Sequence, residues 1–566
     1  MLVGWSLVVC LVGFLAVRLA SSPGRAVSAV LAAGLLARIC AFAFILEGHP
    51  IGGDPTIYAD MARHLISSGE LGHFDEYHQQ YQRAFFPPAY PILIGLLQSI
   101  VGFSDSAIFL FQILLDSFIV VLMFYVGARF YGPKAAALGS AIYALWPTLV
   151  WLAGFPQKET LSIALVCLNA ASVLVPPRPA RLGWRRAMAF GGSWGALALT
   201  QPALALLPPL LGLSLLRRFP LRATVAFGLR AGVILLLVMG PWWVRNYAVL
   251  GRFVPLTTSA GWALWVGNNP GATGDWMPPP PDLIGLPEGE MSERAASKAL
   301  RWIAENPSEF LVRAARKIIL GLGSDRFSFG AIRDFPDTPG KWIFETLCAP
   351  FQIYHFSVIL LASCAIINRT KVSREIHSIA LMSIAYMLFV ESLFEFSERH
   401  TYFARPFIAL LAASFLAERL CSDPPRAGPI EAGSLEALDS SITHAPTSTR
   451  RAQRGAQLPG SEAPPQTGRS RGGPGTELHA IVAARGPPPP RSPSRPGPRP
   501  PTAARPMRRS GRRCDACARP RVSYTDARTD ARAGRRPGRL RRSRRCRFRC
   551  RRSAKGATMA VEQPSS

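Results

Sequence analysis

Apolar residues run through the first three quarters of the chain in long blocks, neither alternating with polar ones nor confined to one helical stripe. Blocks long enough to cross a bilayer, about 17 to 23 residues each, recur near 2–20, 27–46, 106–128, 134–153, 159–175, 187–201, 202–216, 223–244, 345–367, 376–395 and 402–420. The pattern predicts an all-α polytopic membrane protein with about eleven transmembrane helices. Pro202, Pro208 and Pro209 interrupt the 187–216 region. The apolar run 90–102 (YPILIGLLQSIVG) lies behind Pro87 and Pro88 and is too short for a span, which suits an interfacial or re-entrant helix. From about Pro424 onward the chain is Pro, Arg, Ala, Gly and Ser without a hydrophobic period. Such a segment cannot bury enough surface to offset its ordering entropy, so 421–566 is expected to be a disordered tail.

Charge changes this picture by giving it a direction. The chain is 49% hydrophobic with a mean hydropathy of +0.19, yet carries a net charge of +29. Of its 64 Lys and Arg and 35 Asp and Glu, 31 and 10 follow residue 421, leaving the first part near +8. Lys and Arg collect in cytoplasmic loops. If 90–102 does not span, Arg18/Arg25, Arg129/Lys134, Arg178/Arg181/Arg185/Arg186, Arg217/Arg218/Arg222 and Lys371/Arg374 share one face with the tail. The opposite face then holds segments 47–105 and 245–344 and the turns 154–158 and 396–401, where extracytoplasmic chemistry would take place. The N-terminus has no basic region before its apolar run, which reads as a retained span rather than a signal peptide.

Other candidate chemistry is thin. Cys10, Cys40, Cys167, Cys348 and Cys364 lie in apolar stretches without paired spacing and read as core or lipid-facing residues. Cys514/Cys517 and Cys546/Cys550 have a zinc-like spacing but sit in arginine-rich low complexity. The basic run 541–552 suits electrostatic contact with anionic lipid or nucleic acid, and no specific nucleic-acid partner is expected. His49, His64, His73 and His78 cluster without metal-ligand spacing. In the second outer segment, 267–274 (GNNPGATG) lacks the Lys-Ser/Thr of a phosphate loop. Helical stretches are expected at 292–305 and 307–322, the latter interleaving Phe310, Leu311, Ile318 and Ile319 with Arg313, Arg316 and Lys317. That pattern fits a helix on a membrane surface, as a substrate cover or as a docked connector.

Two carboxylates stand out on the outer face. Asp54 opens GGDPTIYADMARHL, where it reads as an N-cap with Pro55 at N1 and also as a base at the membrane surface. Glu159, in FPQKETLSIALV, reads as a favourable first-turn charge or as the second member of a catalytic pair; together they suit acid/base work or a divalent metal. Arg83, Arg245, Arg399 and Arg405 lie on the face where arginine is disfavoured, so each reads as a phosphate ligand or as a snorkelling side chain. Glu391, Glu395 and Glu398 are available to pair with Arg399.

The pattern Asp54-x3-Tyr58-Ala59-x2-Ala62-x2-Leu65-x3-Gly69, PPAYP at 87–91, Lys158-Glu159-Thr160-Leu161, Thr200-Gln201-Pro202, PWWVRNY at 241–247 and GNNPGATG together resemble a known family. It is that of the lipid-phosphate-sugar glycosyltransferases, which includes the dolichyl-phosphate-mannose protein mannosyltransferases and the bacterial aminoarabinose transferases (glycosyltransferase family 39-like). The resemblance covers about 26–420, with 1–25 as an extra N-terminal span. It implies a GT-C-type multi-span bundle in a bacterial inner membrane, facing the periplasm or exterior. It also implies a polyprenyl-phosphate sugar donor, an extracytoplasmic acceptor and bound membrane lipids. Asp54 matches the family's catalytic first-loop acid and Glu159 its second-loop acid; Tyr58 would position substrate, and Arg83, Arg245, Arg399 and Arg405 would contact the donor phosphate. Gln201 stands where many relatives have Arg, and Arg399-His400 replaces the usual Arg-Tyr. No cofactor is implied with certainty, a divalent metal at Asp54 and Glu159 being one option. The competing class is a transporter or flippase for an anionic lipid or small molecule, against which stands the absence of a two-half repeat.

Overall fold

The computed structural model describes residues 2–45, 53–174, 182–274, 276–325, 340–368 and 374–420. His49, the 421–566 tail with its cysteine pairs, and the basic positions Arg178, Arg181 and Lys371 fall outside these ranges. The described chain is almost wholly helical, because each apolar block must satisfy its own backbone once water is excluded. At the N-terminus α1 (Leu2–Arg18) and α2 (Pro23–Ile45) follow one another closely. The first outer segment contributes α3 (Asp54–Ser68), a hairpin of β1 (His73–Asp75) and β2 (Gln80–Gln82), and α4 (Ala89–Val101). At thirteen residues α4 is only about 20 Å long, short of the hydrocarbon thickness. The hairpin has no sequence signature beyond its ends.

Next, α5 (Asp105–Tyr131) starts where the Ser104 hydroxyl accepts from the Ala107 amide and stops at Gly132, whose φ of +85° ends the helix. The expected span 134–153 is instead broken into α6 (Pro133–Ala144) and α7 (Pro147–Leu152), since Pro147 cannot donate back into the preceding turn. Then come α8 (Glu159–Leu174), α9 (Trp184–Thr200), and the 202–216 region, which its prolines divide into 3₁₀ turns around α10 (Leu207–Gly212). A thirty-residue α11 (Leu221–Leu250) leads to the second outer segment: α12 (Ala260–Gly267), α13 (Glu288–Glu305) and α14 (Pro307–Gly323). The final helices are α15 (Gly340–Ile367), α16 (Arg374–Leu393) and α17 (Arg405–Leu420), with a 3₁₀ turn at Glu398–Ala404 before the last.

Among the described residues five helices, Pro23–Ala43, Asp105–Tyr131, Leu221–Leu250, Cys348–Ile367 and Arg374–Leu393, are long and apolar enough to cross a bilayer. Leu229, Leu236 and Leu237 of α11 and Leu360 of α15 stand exposed, as lipid-facing side chains do. The chain is an integral membrane protein. Its core centres on α6, where Ala135, Ala136, Ala137, Gly139 and Ala141 are buried and admit α1, α5 and α17 at close range. A Cβ added at Gly139 would stand 2.9 Å from Leu410 Cδ2. Cys167 is buried and Cys10 and Cys40 are exposed, all as free thiols.

Candidate functional site

The first outer segment begins at Gly53, whose φ of +73° and ψ of −146° only glycine adopts without strain. Gly53, not Asp54, is the residue that caps α3, and no side chain closes that cap. The expected capping role of Asp54 is thereby replaced. Its carboxylate reaches a distant partner: Oδ2 lies 2.5 Å from Arg399 Nη1. Arg399 comes from the 3₁₀ turn before α17, 345 positions along the chain, and its Nε lies 3.9 Å from Glu159 Oε1. Glu159 starts α8, so the helix dipole favours its charge. It is 1% exposed, and neither oxygen receives a hydrogen bond among the described residues. Lys158 completes the group, donating to the Tyr58 hydroxyl at 2.9 Å and standing 3.6 Å from Glu159 Oε1.

Asp54, Tyr58, Lys158, Glu159 and Arg399 thus form one cluster of two carboxylates and two cations. Its floor is aromatic: Tyr58 is fully buried, edge-on to both Phe86 and Tyr90. Burial alone would raise the Asp54 carboxyl, but Arg399 and Lys158 outweigh it and hold it below its ordinary value. Burial pushes the Tyr58 hydroxyl up to about 12, so it stays protonated. Burial opposes charge on Lys158, yet the Tyr58 oxygen and Glu159 keep it above its usual range; Asp54 and Glu159 do the same for Arg399. His400 is pushed down to about 3 by burial and by the two cations, and is neutral. The site therefore presents an ionised carboxylate and two charged donors beside each other at neutral pH.

A divalent cation needs oxygen ligands free to converge on it. Here Arg399 already lies against both carboxylates and Lys158 against Glu159, so Asp54 and Glu159 do not fit such an ion in this arrangement. Among the described residues no three His, Cys, Asp or Glu side chains gather as metal ligands.

The other arginines lie elsewhere. Arg245 donates to Arg83 O at 2.8 Å and Leu71 O at 2.7 Å, fastening α11 to the first outer segment. Arg83 is exposed over the Tyr81 ring, while its backbone amide and that of Ala84 are held by Glu288 of α13. Arg405 is 1% exposed and paired at 2.5 Å with Asp325, which also accepts from Trp146 Nε1 at 2.9 Å. Of the three glutamates expected beside Arg399, Glu395 adds to the negative charge that favours its ionised form, Glu391 Oε1 lies 3.9 Å from His400 Nδ1, and Glu398 accepts from the Ser324 hydroxyl. His64 engages Ser68 and Tyr81, and His78 engages Asp75. Sequence reasoning had no place for Lys158 in the site. The available signal was a lysine on the disfavoured face directly beside Glu159.

No protein-family model matches the chain, and no curated protein does either. Solved structures are similar to it. ArnT from Cupriavidus metallidurans bound to undecaprenyl phosphate shares 14% identity over 70% of this chain and 78% of that one, with a TM-score of 0.35. Its apo state gives 16% identity and 0.34, over 69% and 77%. The archaeal oligosaccharyltransferase AglB from Archaeoglobus fulgidus, in complex with an inhibitory peptide and a dolichol-phosphate, gives 13% and 0.43 over 75% of this chain. The match spans 52% of AglB, about half its length. With TM-scores this low, the functional argument rests on the residues.

Proposed function

We propose that the chain is a membrane glycosyltransferase of the GT-C type, moving a sugar from a polyprenyl-phosphate donor to an acceptor hydroxyl at the extracytoplasmic face. The observation that carries this is the largely buried cluster in which Asp54, ionised and paired with Arg399, stands beside the buried and hydrogen-bond-free carboxylate of Glu159. A buried carboxylate without a donor is costly, and the cost is recovered when a ligand hydroxyl donates to it. Asp54 accepts the proton of the acceptor hydroxyl as that oxygen bonds to the anomeric carbon. The bond from that carbon to the phosphate oxygen breaks, and the electron pair leaves with the lipid phosphate. Arg399 and Lys158 stabilise the departing charge. The departing lipid phosphate, a phosphate monoester, leaves without a general acid, and attack opposite the leaving group inverts the anomeric centre. Glu159 takes a sugar hydroxyl, and Tyr58 fixes Lys158. Arg83, exposed on the first outer segment, meets the donor phosphate on its way in. Arg245 and Arg405 keep the surrounding segments in place.

The same reading takes 26–420 as the catalytic body with about eleven spans. Its outer segments 47–105 and 245–344 face the periplasm or exterior of a bacterial inner membrane, 1–25 adds a span, and 421–566 is a cytoplasmic tail. The test is transfer of radiolabelled sugar from a panel of polyprenyl-phosphate sugars in membranes carrying the full chain, wild type beside Asp54→Asn. Transfer by the wild type alone is the expected result. Equal transfer by both proteins removes Asp54 as the base, and flux of an anionic lipid without transfer replaces the enzyme by a transporter.

A further inference from the structure

The structure gives the glycine-rich turn 267–274 a task that its sequence does not announce. The chain just before Arg399 is joined to it along a short seam. Leu393 O accepts from Asn268 Nδ2 at 2.7 Å, and Phe394 O accepts from Lys317 Nζ at 2.9 Å. The amide of Glu395 donates to Ala263 O at 3.0 Å and that of Phe396 to Gly274 O at 2.6 Å. The approach needs glycine: a Cβ on Gly267 would stand 2.5 Å from Phe394 O. Gly274 has a φ of +96°, and its missing Cβ leaves 3.1 Å to Lys317 Cγ.

Lys317 is the bolt of this seam. It is 1% exposed although it lies on α14, an amphipathic helix whose Leu311, Val312 and Ile319 face outward. Its Nζ reaches two backbone carbonyls, Phe394 O and, at 3.5 Å, Gly267 O, with the Glu391 carboxylate as its counter-charge. Burying an ammonium on a surface helix is expensive, and here it fixes a main-chain turn. Arg313, one turn earlier on α14, donates to Asn269 O at 2.5 Å and holds the other side of the same loop.

We propose that Gly267, Asn268, Gly274 and Lys317 are positioning residues that set Arg399 against Asp54, so that the second outer segment controls the geometry of a pair formed by the first outer segment and the last helix. The inference deepens the transferase reading, and its relevance to turnover rests on that reading. Two features support a positioning role over general packing. The seam ends three residues before Arg399, and its bonds are polar contacts to one strand of backbone rather than apolar burial. A shift of about 1 Å at a group that stabilises a leaving charge costs on the order of 100-fold in rate.

The experiment uses the full chain in lipid nanodiscs, as wild type, Lys317→Met, Asn268→Ala and Lys317→Arg. Carbodiimide modification of Asp54, followed by peptide mass, gives the pH midpoint at which that carboxyl protonates. Arg399, Lys158, His400, Tyr58 and His73 are the charged or titratable groups that face it. Hydrogen exchange over 393–404 reports the seam itself. In Lys317→Met and Asn268→Ala the Glu395 and Phe396 amides exchange faster by about 10-fold or more, while α9 and α11 are unchanged. The Asp54 midpoint moves up because Arg399 is withdrawn, and Lys317→Arg returns both readings toward wild type. Sugar transfer falls about 10- to 100-fold in kcat with a smaller change in KM. An unmoved Asp54 midpoint, or faster exchange across the whole protein, overturns the proposal. Wild-type chain that transfers from no donor overturns the transferase reading, whereas the midpoint still decides the seam.

Discussion

Two arginine–aspartate pairs in this protein have the same separation and opposite surroundings. Arg399 and Asp54 meet at 2.5 Å with 16% and 20% of their side chains exposed. Arg405 and Asp325 meet at 2.5 Å with 2% and 0% exposed, roofed by the Trp146 and Tyr402 rings. Both arginines stand at or just before the start of α17, six residues apart in sequence. The closed pair has no room to exchange its partner, and its desolvation cost is offset only while both charges remain. The open pair has an edge at which an incoming anion or hydroxyl competes for the same donors. Identical chemistry becomes structure in one place and a candidate site in the other, and access makes the difference.

The comparison breaks most sharply at Asp54. Asp54→Asn removes the proton acceptor without removing volume, and transfer is expected to fall by about 10²- to 10⁴-fold with the unfolding midpoint of purified protein nearly unchanged. Equal losses of transfer and of thermal stability would make the open pair a structural one. At the closed pair the expectation reverses. Asp325→Ala leaves a buried guanidinium unpaired and destabilises by about 3 to 5 kcal/mol, read as a lowered thermal midpoint. The double change Arg405→Met with Asp325→Leu recovers much of that loss.

Arg399→Gln sharpens the contrast through pH. In the proposed reaction the ionised Asp54 carboxylate is the working form, so activity is expected to be lost as the pH falls through its pKa, which in the wild type lies below the ordinary 3.8. Removing Arg399 leaves burial, the largest influence, less opposed, so the acid limb of the pH–rate profile moves up. The rate at neutral pH falls by about 10²- to 10³-fold. An acid limb that stays in place would disconnect Arg399 from Asp54 in solution. The smallest effect is expected at Tyr58→Phe, which deprives Lys158 of one acceptor while Glu159 remains and costs about 0.5 to 1.5 kcal/mol, seen as a modest rise in donor KM.

Much of the helical framework was legible from apolar block length alone. The 90–102 run was correctly kept out of the long helices, and the boundaries of α13 and α14 fall close to those expected. The break at Trp146–Pro147 was written in the sequence and read as continuous. The hairpin at 73–82 lacks any turn dipeptide that would have announced it. Within the site, Arg399 is identifiable from the sequence as a cation on the disfavoured face, Asp54 and Glu159 as two carboxylates on that same face, and Tyr58 only through the family resemblance. Arg83, Arg245 and Arg405 looked the same by that criterion. Nothing local separates an arginine that binds carbonyls at 83 and 71 from one that faces Asp54.

The sequence by itself determined that this is a helical membrane protein, where its long helices run, and which carboxylates and arginines are unusual for their position. Those are local properties: block length, proline placement and charge relative to the apolar runs. Only the tertiary structure decided that Asp54 meets Arg399, that Lys158 joins them, that Arg405 is closed off with Asp325, and that GNNPGATG grips the turn ahead of Arg399. These are contacts between residues far apart along the chain. A side chain's partner depends on which helix packing brings near it and how much water that packing leaves, and neither quantity is written in the residues on either side.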